Sequence, residues 1–317
     1  VKVPVDEPAP TRAFSPDGRF YDSLMAAGAV VEHTTSWLTI NPMKGCQLGC
    51  AYCFRARWHP DNRPSRQFDV ADGVLQLLEH PDFVVDRTPV SVNVSSTDSM
   101  LPTVRASTLE AVQLLDAEGL RNPVGIITKL RIPDYALKVL AELKYVRPVV
   151  FVSLAYLPRE IEPVPTRPRV ENLRRLMEAR ISNVLYLRPI VEGWNDSRES
   201  IGELLRIGDR YSDAVCIGGL RLSPEIAREL AAAGMEVPVP DVEDEFHEKA
   251  VPPRVEAMIE ELREQHGLEV PIYKHTSCAV SKIMEWPNYN ALFERAAENC
   301  VASCPSTQVR RCHDAQG

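Results

Sequence analysis

The sequence contains no apolar run near the ~20 residues that a membrane-spanning helix needs. The stretch Val1–Asp17 holds no hydrophobic segment of the kind that secretion signals carry. A cytoplasmic protein is therefore the expectation, and a membrane is not an expected partner. Basic residues are not in excess: 36 Lys and Arg stand against 44 Asp and Glu, a formal net charge of −8. Nucleic-acid binders usually show a basic surplus or stripe, so nucleic acid is not an expected partner either. Internal repeats and low-complexity tracts are missing too, and the chain does not read as a repeat array.

What is present is the profile of a globular chain. The 317 residues are 44% hydrophobic and 25% charged, enough for one large α/β domain or for a main domain with a smaller appendage. The densest charge run is acidic, comprising Asp241, Glu243, Asp244, Glu245 and Glu248. It reads either as a solvated linker or helix face, or as a surface that suits a cationic substrate.

Residues 1–34 are rich in proline without periodicity and read as an extension. Over 35–222, strand and helix patterns alternate. Strands are expected at Trp37–Asn41, Val90–Val94, Val124–Thr128, Val149–Leu154, Val184–Pro189 and Ala214–Leu220. Helices are expected at Asp69–Leu78, Thr108–Leu115, Asp134–Leu143, Val170–Glu178 and Ser197–Tyr211, the last with Asp196 as N-cap. Near-continuous apolar runs argue for a parallel sheet. Six βα units curl into a partial barrel, in which ligands sit at the C-terminal ends of the strands. The pattern changes over 223–317, where Pro-rich stretches frame a helix near Arg254–Gln265 and the segment Tyr273–Cys312 carries four cysteines.

Seven of the eight cysteines fall into two groups. Clustered thiols without a secretion signal point to metal ligands more than to disulfides. The first group lies in the string NPMKGCQLGCAYCF, residues 41–54, where Cys46, Cys50 and Cys53 follow a C-x3-C-x2-C spacing. Three thiolates can hold three irons of a cubane and leave the fourth iron open to the amino and carboxylate groups of a small molecule. Gly45 and Gly49 allow the tight bends such a loop needs, and Tyr52 is placed to stack on a base or shield the cluster. A zinc site with His59 as fourth ligand is the competing interpretation.

These residues carry a resemblance. Over about residues 37–196 the sequence resembles the radical S-adenosylmethionine (SAM) superfamily and, within it, the spore photoproduct lyase-like branch. Besides the cysteine string, the resemblance rests on Asn41-Pro42, Ser96-Thr97-Asp98, Thr128-Lys129, Val152-Ser153-Leu154, Glu162-Pro163, Arg188-Pro189-Ile190 and Asn195-Asp196. It implies a partial (β/α)6 barrel of the radical SAM type, with a 4Fe–4S cluster on Cys46, Cys50 and Cys53. It implies that Ser96, Thr97 and Asp98, in place of the family's commoner Gly-Gly-Glu pattern, lie by the methionine amino end of the cofactor. Lys129 and Ser153 would contact its carboxylate or ribose, and Arg188 would pair with the carboxylate. Each of these also has a purely structural reading, as a strand cap or an ion pair. The implied chemistry is reductive cleavage of SAM to a 5′-deoxyadenosyl radical that abstracts hydrogen from substrate, with an electron donor such as flavodoxin or ferredoxin.

Cys278, Cys300, Cys304 and Cys312 depart from the one-cluster lyase pattern. Four thiolates can ligate an auxiliary 4Fe–4S cluster in a small iron–sulfur extension; structural zinc and unrelated thiols are the alternatives. Cys216, on the sixth strand, reads as a small buried hydrophobe or as a thiol that returns hydrogen to a substrate radical. Lys274 and His275 read as acid–base groups or as surface residues, and Arg55 and Arg57 have no assigned role. The expected substrate is a small molecule, a sugar or aminoglycoside, turned over by an epimerase, dehydrogenase or dehydratase of antibiotic-type biosynthesis. A DNA photoproduct-type repair lyase and a peptide-modifying enzyme are the alternatives; the acidic balance weighs against the first, and the lack of an apparent N-terminal peptide-binding domain against the second.

Overall fold

The computed structural model describes residues 31–34, 36–53, 62–237, 251–289 and 303–315. Its centre is an eight-stranded sheet. β1 (Val31–His33) pairs antiparallel with β2 (Leu38–Ile40). All further pairings are parallel, through β5 (Val90–Val92), β6 (Pro123–Thr128), β7 (Arg147–Ser153), β8 (Ser182–Ile190), β9 (Ala214–Gly219) and β10 (Ile272–Tyr273). A separate two-stranded sheet joins β3 (Met43–Lys44) to β4 (Ser65–Arg66).

The strands are apolar along their length because both faces of the sheet are covered. Alternate residues divide between two cores. On one face Ile40, Val92, Ile126, Val152, Leu187 and Ile217 meet the crossover helices. These are α1 (Val70–Leu78), α2 (Arg105–Ala117), α3 (Asp134–Ala141), α4 (Arg167–Glu178) and α5 (Arg198–Tyr211), followed by α6 (Pro224–Ala232) and α7 (Pro253–His266). On the inner face Trp37, Phe151, Tyr186, Cys216 and Tyr273 meet Ala279, Val280 and Met284 of α8 (Thr276–Met284). The last helix is α9 (Ser306–Asp314).

The six expected strands are present as β2 and β5–β9. A seventh parallel strand, β10, comes from the C-terminal region: Ile272 and Tyr273 pair with Val215 and Cys216, which ties that region into the barrel sheet. The helix ends follow side-chain caps. Asp69 Oδ1 accepts from Ala71 N at 3.0 Å at the start of α1. At α5 the cap is Ser197, whose Oγ accepts from Ser200 N at 3.2 Å, and not Asp196. Asp196 instead accepts from Gly193 N at 2.9 Å and pairs with Arg254. A carboxylate engaged by those two partners is not free to turn toward the helix.

Candidate functional site

The cysteine loop leaves β2 and is folded by its own backbone. Pro42 O accepts from Gln67 N at 2.8 Å, and the β3–β4 pair then turns the chain at Gly45, where φ is +95°. A Cβ at Gly45 would lie 2.3 Å from the Arg63 carbonyl oxygen, so no side chain fits there. Gly49 also has positive φ, +67°. Cys53 N donates to Cys50 O at 3.0 Å, and Ala51 N donates to Ile161 O at 2.9 Å, pinning the loop to the segment after β7. Cys46, Cys50 and Cys53 are each half-buried. Burial pushes the Cys50 thiol up to about 12; Lys129 opposes this, and Glu162, Cys53 and Cys46 reinforce it. The three thiols are thus within electrostatic reach of one another. Among the described residues no three His, Cys, Asp or Glu side chains close on a point as single-ion ligands do. A cubane asks instead for thiolates spread around a larger body, with one iron left open.

Beside the loop lies a buried ionic network. Lys129 Nζ, just past the end of β6, donates to Ser153 Oγ at 2.6 Å, Tyr52 Oη at 2.7 Å and Glu162 Oε2 at 2.8 Å. The Tyr52 hydroxyl in turn donates to Glu162. Arg169, near the start of α4, pairs with the other oxygen of Glu162 and donates to Ser153 O at 3.0 Å and Val164 O at 2.8 Å. Burial alone would raise the Glu162 carboxyl, but Lys129, Arg169 and the bonds from Lys129 and Tyr52 hold it below the usual carboxylate range. Burial raises the Tyr52 hydroxyl well above its ordinary value, with the charges of Glu162 and Cys50 adding to it. One buried cation, Arg169, and one half-buried cation, Lys129, therefore share one carboxylate, leaving a net positive charge beside three thiols.

The string after β5 closes the other side. Asp98, buried, accepts from Lys129 N at 2.7 Å, Thr128 Oγ1 at 2.7 Å and Met100 N at 2.9 Å. Burial raises its carboxyl in spite of those bonds. Ser96 Oγ donates to Met43 O at 2.6 Å, which fixes the base of the cysteine loop. Thr97 is buried beside it. Asn41, 2% exposed, accepts from Ser95 N at 3.3 Å while its Nδ2 meets no acceptor among the described residues. A buried donor of that kind fits a ligand-binding end of the barrel. Glu162, Arg169 and Asn41 complete the site; Asn41 and Glu162 belong to strings that carry the sequence resemblance without an assigned role, and Arg169 was not singled out in the sequence.

Arg188 is not brought into this network. Its Nε donates to Ile217 O at 2.9 Å, one terminal nitrogen to Tyr186 Oη at 3.2 Å, and the other to Cys216 Sγ at 3.4 Å and to Lys274 O. Cys216, on β9, is fully buried under it. Lys274 pairs with Glu256 at 2.8 Å, and His275 precedes α8, with its carbonyl accepting from Cys278 N at 3.2 Å.

Cys278, Cys304 and Cys312 come together. All three lie by the hydroxyl of Tyr273, which burial, and next Cys304, raise above its ordinary value. Asn288 bridges two of them: its Nδ2 donates to Cys278 Sγ at 3.0 Å and its backbone N to Cys312 Sγ at 3.3 Å. Cys300 lies outside the described residues, as do Arg55, Arg57, His59, the acidic run at 241–248 and residues 1–30. Ser153, Tyr186, Cys216 and Tyr273 are register partners on four successive strands. At about 4.8 Å per strand, the ionic network and the C-terminal thiols stand at two ends of one row.

The sequence matches no family model and no curated protein. Solved structures do match in fold. Spore photoproduct lyase with bound AdoMet and dinucleoside spore photoproduct aligns at a TM-score of 0.58 and 13% identity, over 83% of this chain and 86% of that one. A second spore photoproduct lyase structure aligns at 0.59 and 14%, over 85% and 88%. SuiB of Streptococcus suis, bound to its precursor peptide SuiA, aligns at 0.54 and 13%, over 87% of this chain and 58% of SuiB. The chain thus has the fold shared by these structures, the partial α/β barrel that the sequence resemblance implied.

Proposed function

We propose that this chain is a radical SAM enzyme. Cys46, Cys50 and Cys53 would hold a 4Fe–4S cluster, and SAM would bind between them and the Lys129–Ser153–Glu162–Tyr52 network. The observation that carries the reading is the folding of a three-thiol loop against that network at the C-terminal ends of parallel strands, where barrels of this kind bind their ligands. When bound, cluster and cofactor supply a 5′-deoxyadenosyl radical that takes hydrogen from an unactivated C–H bond. The electron comes from a flavodoxin or ferredoxin-type donor.

The chain's own part is positional. Glu162 fixes Lys129, and Lys129 spends its three donors on Tyr52, Ser153 and Glu162. The surplus positive charge of Lys129 and Arg169 favours an anionic cluster and a carboxylate nearby. Asn41 Nδ2 and the Ser96–Thr97–Asp98 turn would lie by the methionine end of the cofactor. Cys278, Cys304 and Cys312, with Cys300, would hold a second cluster.

The substrate is a small molecule, a sugar or aminoglycoside; the net charge of −8 supports a cationic substrate over duplex DNA. Anaerobic reconstitution tests the assignment: about seven to eight irons per chain are expected for two cubanes, with 5′-deoxyadenosine formed under reduction. Changing Cys46, Cys50 and Cys53 together to Ala should halve the iron and abolish cofactor cleavage. Product analysis with aminoglycosides, dinucleoside spore photoproduct and peptides fixes the substrate; turnover of either of the last two overturns the small-molecule reading.

A further inference from the structure

The starting observation is a hydroxyl with nowhere ordinary to go. Tyr273 is 1% exposed, and its Oη has no hydrogen-bond partner among the described residues. Leaving a buried hydroxyl unpaired costs about 1–3 kcal/mol, and phenylalanine would fill the same apolar position without that cost. What surrounds it is sulfur: Cys278 and Cys304 pack against the same apolar cluster as Tyr273, and Cys304, Cys278 and Cys312 all act on its hydroxyl electrostatically.

A second donor group points to the same place. Asn288 is 3% exposed, and it directs both a side-chain and a backbone N–H at sulfur, Cys278 at 3.0 Å and Cys312 at 3.3 Å. Gln308 Nε2 also lies 3.4 Å from Cys312, but its hydrogens are already taken by Trp286 O at 2.7 Å and Ser281 Oγ at 2.9 Å, so it is not among the donors that sulfur must reward. Neutral thiols accept hydrogen bonds weakly and pack as small hydrophobes. Buried donors gathered around three of them are poorly rewarded in that state. Thiolate or sulfide sulfur carries negative charge and rewards them well.

We propose that Tyr273 and Asn288 are positioning residues of the C-terminal metal centre, donating hydrogen bonds to its sulfurs and setting its reduction potential. The proposal rests on the reading of those cysteines as ligands of a second iron–sulfur cluster. Donation to cluster sulfur withdraws negative charge from the irons and favours the reduced, more negative form, so it raises the potential. The electron taken up in that step comes from the external donor, and no bond is made or broken.

The test uses the full chain carrying Cys46→Ala, Cys50→Ala and Cys53→Ala, reconstituted anaerobically with iron and sulfide, so that only the C-terminal centre reports. Iron and zinc content are measured, and the midpoint potential is read by electron paramagnetic resonance during titration with dithionite. Tyr273→Phe should keep its iron and move the midpoint to more negative potential. Asn288→Leu should shift it in the same direction. Unchanged midpoints in both variants with full iron content overturn the proposal and leave the second cluster standing. Should Asn288→Leu not retain iron, the near-isosteric Tyr273→Phe decides alone. A background protein that takes up no iron, or holds zinc, overturns the second-cluster reading itself, and the proposal with it.

Discussion

Glu162 shows what one buried carboxylate does here. It is 1% exposed and holds Lys129 on one oxygen and Arg169 on the other. Removing one partner of a buried ion pair leaves an uncompensated charge, at a cost of about 3–5 kcal/mol. Glu162→Gln should therefore lower the unfolding free energy of the metal-free protein by that order in urea titrations at pH 7. The sign of its pH dependence follows from its depressed ionisation. The stabilisation is complete above the carboxyl's unfolded value and is lost as pH falls through its lower folded value. The gap between wild type and variant should narrow on acidification through that window. A gap that stays constant to acid would show that Glu162 acts through packing and not through charge. The Glu162-Pro163 string is part of the sequence resemblance, but nothing in the sequence marks its partner Arg169. Arg169 sits in the stretch TRPRVENLRR among three other arginines that are all less buried, and it is distinguished only once the 162–165 segment brings Glu162, Val164 O and Pro165 O around its guanidinium.

Elements were legible to the degree that they repeat a pattern. β6, β7 and β9 are runs of Val, Ile, Phe and Cys covered on both sides, which is why they stood out. α8 was not anticipated because Thr276–Met284 opens with Thr, Ser, Cys and Ala, small residues that pack against the inner face without a 3.6-residue stripe. β10 has two residues and cannot display a period of two. The cysteine loop was legible through its spacing and its glycines, but the tightness at Gly45 was not. Its φ of +95° and the Arg63 carbonyl 2.3 Å from any added Cβ exclude a side chain. Gly45→Ala should thus distort the loop and reduce iron uptake at the first site on reconstitution, while the same substitution at Gly202, where a Cβ would make only ordinary contacts, the nearest with Leu262 at 3.5 Å, should leave iron uptake intact. Equal iron in both variants would show that the loop yields without harm to its thiols.

At the scale of the whole molecule, the polar network after β6 and β7 and the thiols after β10 share one inner face, and the strand joining them to the sheet arrives late in the chain. β9 would otherwise be an edge, its N–H and C=O groups unpaired, and Phe151, Tyr186 and Cys216 would lack the cover of α8. During synthesis the ribosome must add everything from residue 220 to 284 before that face is closed, an interval of a few to about ten seconds at ordinary elongation rates. A polypeptide halted at residue 222 should aggregate in cell-free translation, and one extended to residue 289 should stay in solution far better. Equal solubility of the two would show that β9 tolerates exposure. The C-terminal third is in this sense a timed shutter: the inner face beside the polar network stays open until β10 and α8 have been made.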